Sequence, residues 1–210
     1  MLIIGAQGFA KEVLEVFSQL DELENILFYD DVSSDTHAKM FDRFPILRSL
    51  ESAKSLFLND PRFVLGLGSP KLRRQLAQKM TSIGGQLTSS ISPKAAIGRF
   101  NNSIGQGVNI MTGVVITNDV CVGNGVLINL NCTIGHDVKI GDFCELSPGV
   151  HVSGNVSLEE NVVLGTGAVL LPGISIGANS IIGAGSVVNR SVEANVVAVG
   201  TPAKVIKRLD

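Results

Sequence analysis

The sequence contains three histidines, and one of them is followed directly by a carboxylate. His136 lies two residues after Ile134, and Asp137 comes next. Histidine is well suited to accept a proton near neutral pH, so it often serves as a general base. A neighbouring carboxylate can orient the ring and stabilise its protonated form. His136 and Asp137 are therefore candidates for a base and its partner, while the residues alone leave a structural role for this histidine open.

The other two histidines lie in less suggestive surroundings. His37 falls in a polar stretch and is expected in a loop. His151 directly precedes Val152, so alternation along a strand places its side chain on the outer surface. Neither residue is expected to do chemistry.

The segment that must position His136 repeats every six residues. An aliphatic residue occupies every sixth position, and the residue four places later is small or β-branched. Such a period is typical of a parallel β-helix, and neither the helical period nor simple alternation fits it. The aliphatic positions are Ile104, Ile110, Ile116, Val122, Ile128, Ile134, Ile140, Leu146, Val152, Leu158, Leu164, Leu170, Ile176, Ile182 and Val188.

Stacking of the coils brings a second residue to His136. Three six-residue units close one triangular coil, so residues 18 apart stack on each other. Gly154 therefore lies above His136, with Pro172 above Gly154 and Asn118 below His136. A backbone amide at Gly154 could stabilise an oxyanion that forms beside the histidine.

The first part of the chain has a different pattern. An apolar strand over residues 2–4 leads into a glycine turn that contains Gly5, Gln7 and Gly8, and Phe9 follows before a helix at Glu12–Leu20. This order resembles the start of a dinucleotide-binding unit, in which amides at a helix N-terminus face phosphate. Gln7 stands where the full fingerprint has glycine, so a tight turn that binds nothing stays open.

Two further strands end in polar or small residues. Asp30 and Asp31 follow the strand at 26–29, and Gly68 and Ser69 follow the strand at 63–67. A helix at 70–80, with cations in its first turns, comes next. Carboxyl ends of parallel strands share one sheet edge, where open α/β sheets bind ligands. The sequence thus predicts a small Rossmann-like α/β domain with three parallel strands and a ligand site, although solvated loops and a solvated helix face would also explain these residues.

Composition limits the classes of function. The chain has 210 residues and a net charge of −2, and no apolar run reaches membrane-spanning length. Nucleic acid is not an expected partner. Residues 1–86 hold 21 of the 36 charged residues. We expect an α/β domain at 1–86, a charge-poor β-helix at 87–210 and a cytoplasmic protein, because residue 1 leads straight into a strand without a signal peptide.

The three cysteines fit the same picture. Cys132 and Cys144 fall on inward positions of the repeat and are expected to be small core residues. The odd number of cysteines argues against a disulfide scaffold. No metal site is predicted.

Three stretches together carry a resemblance to a known family: Gly5–Lys11, Ile134–Phe143, and Gly183–Val188 with Gly200–Lys204. The chain is similar to the nucleotide-sugar N-acetyltransferases of the sialic-acid O-acetyltransferase-like, bacillosamine-pathway type. The resemblance implies a left-handed β-helix, a homotrimer, and acetyl-CoA-dependent acetylation of a nucleotide-linked amino sugar for surface glycan synthesis. It makes His136 the catalytic base with help from Asp137. It also assigns oxyanion stabilisation to the Gly154 amide and a place near the acceptor to Asn129.

The resemblance also implies a groove for acetyl-CoA between neighbouring subunits. Many family members carry a second histidine near the thiol, at the position where this chain has Glu145. We expect Glu145 to face outward and to contribute to the wall of the cofactor groove. The expected cofactor contacts are Glu145, Gly154, Gly165, Thr166, Ala184, Pro202 and Lys204.

Three other functions compete with this interpretation. An O-acetyltransferase acting on a sugar hydroxyl would use the same base, and the sequence does not separate it from an N-acetyltransferase. A carbonic anhydrase of the hexapeptide class needs three histidine ligands around zinc, and the β-helix offers two histidines without companions. A non-enzymatic scaffold would not turn over acetyl-CoA.

Overall fold

The computed structural model describes residues 1–33 and 37–209. It divides into two compact units, Met1–Ser90 and Ile91–Asp210. The first unit is an α/β structure, and the second is a left-handed parallel β-helix. The division of tasks between the two parts stays a prediction.

The α/β unit is built around one sheet. Its elements are β1 (Leu2–Ile4), α1 (Gly8–Gln19), β2 (Leu27–Tyr29), β3 (Lys39–Met40), β4 (Phe44–Leu47), α2 (Leu50–Phe57), β5 (Arg62–Leu65), α3 (Pro70–Ser82) and β6 (Gln86–Leu87). The sheet has the order β3-β4-β2-β1-β5-β6. All neighbours are parallel except β3 and β4. The three predicted strands are confirmed as its centre, and β3, β4, β6 and α2 are additions.

Helix α1 packs one face on this sheet because its apolar residues follow the helical spacing. Val13 and Phe17 are buried against Ile3, Phe28 and Val64. The helix begins at Gly8, four residues earlier than the predicted start at residue 12. Gly8 and Phe9 therefore belong to its first turn, and the turn between β1 and α1 is short.

The β-helix is made of two-residue strands joined by tight turns. Its strands are β7 (Ser90–Ile91), β8 (Ala96–Ile97), β9 (Ser103–Ile104), β10 (Asn109–Ile110), β11 (Val115–Ile116), β12 (Cys121–Val122), β13 (Leu127–Ile128), β14 (Thr133–Ile134), β15 (Lys139–Ile140), β16 (Glu145–Leu146), β17 (His151–Val152), β18 (Ser157–Leu158), β19 (Val163–Leu164), β20 (Val169–Leu170), β21 (Ser175–Ile176), β22 (Ile181–Ile182), β23 (Val187–Val188), β24 (Val196–Gly200) and β25 (Ala203–Arg208). They form three sheets, with the orders β25-β24-β22-β19-β16-β13-β10-β7, β23-β20-β17-β14-β11-β8 and β21-β18-β15-β12-β9.

The register confirms stacking at 18 residues. Ile134 pairs with Ile116 below it and with Val152 above it. The aliphatic residue of each strand and the small residue four places on fill one continuous core. Each buried Val, Leu or Ile contributes about 1.5–3 kcal/mol relative to exposure. This inward packing fixes the backbone of every turn.

The turns stack in three columns, which we call corners. In the coil that contains His136, the first corner is residues 129–132, the second is 135–138 and the third is 141–144. Each corner continues at intervals of 18 residues in the coils above and below. Because the fold repeats the same turn, differences between corners come from their side chains.

The C-terminal segment forms a hairpin at the end of the β-helix. Strand β25 folds back and pairs antiparallel with β24. Gly200, with φ of 105°, helps to form the connecting turn. The hairpin extends the largest sheet of the β-helix at its end.

The cysteines lie where the repeat places them. Cys132 and Cys144 are buried in the core, which confirms the prediction for both, and Cys121 is exposed. Burial raises the pKa of the Cys132 thiol to about 11, so this thiol stays protonated at neutral pH.

Residues 1–33 and 37–209 contain neither a membrane-spanning helix nor a metal-binding cluster. No helix there is long and apolar enough to cross a membrane. No group of three or more His, Cys, Asp or Glu side chains in these ranges is arranged to hold a metal ion.

Candidate active site

His136 lies in the second corner, between two buried anchors. Ile134 and Val138 are 1% and 0% exposed and hold the two ends of the turn in the core. Asp137 has a left-handed backbone with φ of 58°, a conformation that Asp and Asn tolerate better than most residues. The turn therefore presents the side chains of His136 and Asp137 to the outside, where they are 65% and 54% exposed.

The imidazole and the carboxylate are hydrogen-bonded to each other. His136 Nδ1 lies 2.7 Å from Asp137 Oδ2. An ionised carboxylate only accepts hydrogen bonds, so Nδ1 carries the proton and donates it. Nε2 of the neutral ring then keeps a lone pair, which is the state that a general base requires. This geometry allows His136 to take a proton at Nε2 and Asp137 to stabilise the resulting cation.

Gly154 lies directly against the imidazole. A Cβ atom added to Gly154 would be 2.6 Å from His136 Nε2 and 2.7 Å from Cε1. The main chain links the two coils here, since the Asn155 amide donates to the His136 carbonyl oxygen at 2.9 Å. Glycine is thus the residue that leaves room for the ring above the turn.

The second corner also leaves backbone amides open. In the third corner, the amides of Gln106 and Asn124 donate to the side-chain oxygens of Asn124 and Asp142, at 2.9 and 2.7 Å. In the second corner the residues above His136 and Gly154 are Gly154 and Pro172, which have no side-chain acceptor. Among the described contacts, none engages the amide of His136 or Gly154 as a donor. These amides can donate to an anion beside the imidazole.

Asn129 lies in the first corner, not in the corner of His136. It is 8% exposed, and its side-chain oxygen accepts a hydrogen bond of 2.7 Å from the Leu130 amide. Strand β14 separates the two turns along the chain. Within one chain the predicted acceptor residue and the predicted base are thus held at different corners of the prism.

The residues expected to contact acetyl-CoA also gather at the first corner. Gly165 and Thr166 belong to one turn, and Ala184 belongs to the turn stacked above it. Thr201, next to Pro202, donates to the Gly185 carbonyl oxygen at 3.5 Å and so extends this column. Lys204 lies in β25. Gly165, Thr166 and Ala184 therefore lie in one column that is separate from His136, while Gly154 lies in the column of His136.

Glu145 occupies the strand that leads into the first corner. It pairs in register with Leu127 and Val163, the outward residues of the neighbouring strands. The adjacent Leu146 is fully buried, so Glu145 lies on the outer side of the sheet and is half-buried. Its place agrees with the expected outward orientation.

The α/β unit contains a separate cavity of 660 Å³. Gly5, Gln7, Asp30 and Asp31 are among its lining residues. Gly8 and Phe9 lie in the first turn of α1, where Phe9 packs on the core of the unit, and they do not line it. Gly68 and Ser69 do not line it either, and Ser69 precedes α3 as its N-cap. The cavity brings together four of the nine residues predicted for substrate binding.

The two acids at the end of β2 have different tasks. Asp30 Oδ1 accepts hydrogen bonds from the amides of Val32 and Ser33, at 3.1 and 2.9 Å. Its other oxygen lies 3.7 Å from Arg48. Asp30 thus stabilises its own loop, whereas Asp31 is available to bind a ligand in the cavity.

Asp31 belongs to a cluster that the sequence did not reveal. Its Oδ2 accepts from the Tyr29 hydroxyl and from Lys79 Nζ, each at 2.7 Å. Burial pushes the pKa of Asp31 up, but the hydrogen bonds from Lys79 and Tyr29 outweigh it and lower the pKa. The bond to Asp31 raises the pKa of Lys79, and burial raises that of Tyr29. At neutral pH the cluster is an anion and a cation beside a neutral phenol.

A spacing signal in the sequence points to the wall that carries Lys79. Leu72, Gln75, Leu76 and Lys79 follow the spacing of one helix face, and all four line the cavity. The pairing of Lys79 with Asp31 spans 48 residues, so no local pattern announces it.

A second, more polar cavity of 330 Å³ borders the same glycine turn. Ala6, Gln7 and Asp30 line both cavities. The basic residues on its wall are Lys11, His37, Lys39 and Arg48. The positive charges of Lys11, Lys39 and Arg48 suit an anionic group such as phosphate.

The two units match different protein families. Residues 1–80 match the family described as the PglD N-terminal domain, and residues 155–190 match the bacterial transferase hexapeptide of six repeats. No curated protein matches the sequence.

Solved structures match nearly the whole chain. A variant of perosamine N-acetyltransferase from Caulobacter crescentus, bound to CoA and GDP-perosamine, is 32% identical with a TM-score of 0.90, over 98% of this chain and 96% of its own. The acetyltransferase domain of PglB from Neisseria gonorrhoeae, bound to acetyl coenzyme A, is 29% identical with a TM-score of 0.88, over 98% of both chains. WeeI from Acinetobacter baumannii is 28% identical with a TM-score of 0.86, over 98% of both chains.

Proposed function

The chain belongs to the hexapeptide-repeat nucleotide-sugar N-acetyltransferases, and we propose that it transfers the acetyl group of acetyl-CoA to the amine of a nucleotide-linked amino sugar. The observation that carries this proposal is the imidazole of His136, hydrogen-bonded to Asp137 at 2.7 Å and lying over Gly154. The CoA and GDP-perosamine bound to a relative of 32% identity support the choice of substrates.

The proposed reaction begins with attack of the sugar amine on the thioester carbonyl. His136 Nε2 takes a proton from the nitrogen as the N–C bond forms, and Asp137 stabilises the imidazolium. The open amide of Gly154 donates to the oxygen that gains negative charge. The C–S bond then breaks, and the thiolate of CoA leaves with the proton that the imidazolium returns. Fixing both substrates beside His136 supplies much of the rate.

The α/β unit is proposed to select the acceptor by its nucleotide. The cavity of 660 Å³ offers apolar walls for the nucleoside. The adjoining cavity of 330 Å³ offers Lys11, Lys39 and Arg48 to the diphosphate. Both cavities border the turn at Ala6 and Gln7, which lies where parallel strands end.

The active enzyme is proposed to be a homotrimer. In one chain the expected cofactor residues Gly165, Thr166 and Ala184 lie at the first corner, while His136 lies at the second. Closed cyclic symmetry can bring the first corner of one subunit to the second corner of its neighbour and so complete the site. Light scattering at working concentration should give the mass of three chains, and a monomer would contradict the proposal.

The proposed compartment is the cytoplasm, where acetyl-CoA and nucleotide sugars are available. The three cysteines form no disulfide in the described structure, which suits a reducing compartment. Cell fractionation should recover the chain with cytoplasmic markers, and recovery outside the cytoplasm would refute this assignment.

The activity is tested by offering UDP-, GDP- and dTDP-linked amino sugars with acetyl-CoA and following thiol release. We expect release with at least one amino sugar and an N-acetylated product by mass spectrometry. The matched sugar with a hydroxyl in place of the amine should give no release. Acetylation of that hydroxyl would instead identify an O-acetyltransferase, and no release with any acceptor would favour a scaffold.

A further inference from the structure

The cavity of 660 Å³ has apolar walls, and its polar lining residues include one ion pair, Asp31 and Lys79. Leu67, Leu72 and Leu76 line it together with Val32. Leu72 and Val32 are 50% and 88% exposed and form part of this apolar wall. Apolar walls with a few placed polar groups are typical of sites for small organic ligands. In a nucleotide site, the planar base is the part that such walls fit.

The ion pair of Asp31 and Lys79 places one hydrogen-bond acceptor beside one donor. Asp31 Oδ2 and Lys79 Nζ are 2.7 Å apart, and both residues line the cavity. An ionised carboxylate only accepts hydrogen bonds, and an ammonium group only donates them. Tyr29, which is 1% exposed, holds the carboxylate from behind through its hydroxyl at 2.7 Å. The pair therefore presents a fixed acceptor next to a fixed donor.

This pattern complements one class of nucleobase. Uracil, thymine and guanine carry a ring N–H next to a carbonyl oxygen, so they offer a donor beside an acceptor. Cytosine and adenine carry a ring nitrogen lone pair next to an amino group, so the same edge offers the reverse order. A carboxylate facing that lone pair, or an ammonium facing that amino group, would leave polar groups unpaired, which is costly.

We propose that Asp31 and Lys79 read the nucleobase of the sugar nucleotide, with Asp31 accepting from the ring N–H and Lys79 donating to the adjacent carbonyl oxygen. The acceptor is then a sugar nucleotide of uracil, thymine or guanine, and cytosine and adenine are rejected. This inference rests on the proposed function, because it names the substrate class of the same site.

The geometry favours the base over the ribose as the partner of Asp31. A ribose diol is held by a carboxylate that offers an oxygen to each hydroxyl, as at the corresponding strand end of dinucleotide sites. In Asp31, Oδ2 already accepts from Tyr29 and Lys79. The remaining oxygen suits a single N–H, and Lys79 supplies the donor that a carbonyl needs and a diol does not.

The first test measures binding of UMP, CMP, GMP and AMP to the full-length protein by calorimetry. UMP and CMP differ at the edge in question, and GMP and AMP form a second pair. We call UMP and GMP, whose bases have a ring N–H beside a carbonyl oxygen, the lactam nucleotides. In the pair that contains the natural base, the lactam nucleotide should bind roughly tenfold tighter or more than its partner, which is the scale of one base-edge contact pair. Equal binding within both pairs, tightest binding of CMP or AMP, or no binding of any of the four would overturn the proposal.

The second test uses Asp31→Asn in the same assay, with a thermal melt to establish that it folds. A carboxamide can donate as well as accept, so it no longer repels the ring lone pair of cytosine or adenine. The preference for the lactam nucleotide should shrink at least severalfold or reverse, as judged against a contact pair that is worth about tenfold or more. If Asp31 gripped ribose instead, Asp31→Asn would weaken both members of the pair equally, and this would overturn the proposal.

Lys79→Met and Tyr29→Phe separate the role of the donor, Lys79, from that of Tyr29, which supports the carboxylate. Lys79→Met removes the donor to the carbonyl oxygen. It should therefore weaken binding of the lactam nucleotide more than binding of CMP or AMP, its partner in the pair. Tyr29→Phe removes only the group behind the carboxylate, so it should reduce selectivity less than Asp31→Asn. An unchanged selectivity ratio in Lys79→Met would refute base reading by this pair.

These binding measurements do not depend on acetyl transfer. Selective nucleotide binding without thiol release in the acceptor screen would keep the base assignment and refute the proposed reaction. With CDP- and ADP-linked amino sugars added to the screen, thiol release with one of these two as the best acceptor would keep the reaction and refute the base assignment.

Discussion

The second and third corners of the β-helix have the same backbone but different side-chain arrangements. Asp137 and Phe143 occupy equivalent left-handed positions, with φ of 58° and 57°. In the third corner, side-chain oxygens of Asn124 and Asp142 cap the amides of the coil below. In the second corner, Asn118 caps the Phe100 amide at 3.3 Å, but the amides of His136 and Gly154 have no such cap among the described contacts.

The capped and uncapped turns show how a repetitive fold can acquire a site. A ladder of capped turns uses its polar groups to stabilise the stack, and each cap contributes about 0.5–1.5 kcal/mol. A corner that replaces the cap with glycine gives up that hydrogen bond and leaves a donor for an anion. The proposed chemistry therefore lies where the ladder is incomplete, and substitutions in the two corners should have opposite kinds of effect.

The largest effect on activity is expected from His136→Ala. Loss of the general base should lower kcat roughly a hundredfold or more, while binding of the nucleotide sugar is kept. The matched control is Asn124→Ala, at the same position of the third corner. It should lower stability by about 1 kcal/mol and leave kcat near the wild-type value. Steady-state kinetics and thermal melts of both variants check this, and reversed effects would show that the corners have been assigned the wrong way round.

A smaller loss is expected from Gly154→Ala. The new Cβ would lie 2.6 Å from His136 Nε2, so the ring must move away. A displacement on the order of 1 Å in a catalytic group can cost up to about a hundredfold in rate, and we expect about tenfold or more in kcat. Binding of nucleotide monophosphates serves as the control and should not change. Wild-type turnover in this variant would mean that the position of the ring does not matter.

Asp137→Asn should reduce kcat by less than His136→Ala, on the order of tenfold, the scale of one charge-assisted hydrogen bond. The turn should survive, because Asn155 adopts the same left-handed backbone in the coil above, with φ of 61°. The measurement is kcat beside a thermal melt. A loss as large as that of His136→Ala would make Asp137 an equal member of the catalytic machinery.

The smallest effect is expected from Glu145→Gln. Glu145 lies on the outer side of the strand before the first corner, where the expected cofactor residues gather. The substitution should raise KM for acetyl-CoA by a few-fold and leave kcat nearly unchanged, the pattern of lost uniform binding. A fall in kcat at constant KM would instead identify a catalytic carboxylate.

The sequence predicted the β-helix well because one physical demand repeats in it. Each inward aliphatic residue must fill the same prism, so the period of six and the stacking of Gly154 on His136 follow from counting. The α/β unit was predicted less completely. Strand β4 is four residues long and contains Pro45, and two-residue strands such as β3 leave no periodic trace.

Contacts between residues that are distant in the sequence could not be predicted from it. Lys79 reaches Asp31 across 48 residues of chain. The two neighbouring acids Asp30 and Asp31 read alike in the sequence, but one stabilises its own loop and the other faces Lys79. Arg73 is one of the cations in the first turns of α3, and the structure buries it completely. Burial and pairing of this kind depend on the packing of distant segments, which local patterns do not encode.

The role of His136 as the base is tested most directly by chemical rescue of His136→Ala with imidazole, following thiol release from acetyl-CoA at saturating acceptor. Free imidazole can take the proton that the missing side chain would have taken. Turnover of the variant should start roughly a hundredfold or more below wild type and rise with the concentration of neutral imidazole, while wild type does not respond. Wild-type turnover of His136→Ala without imidazole would contradict a catalytic base in the second corner.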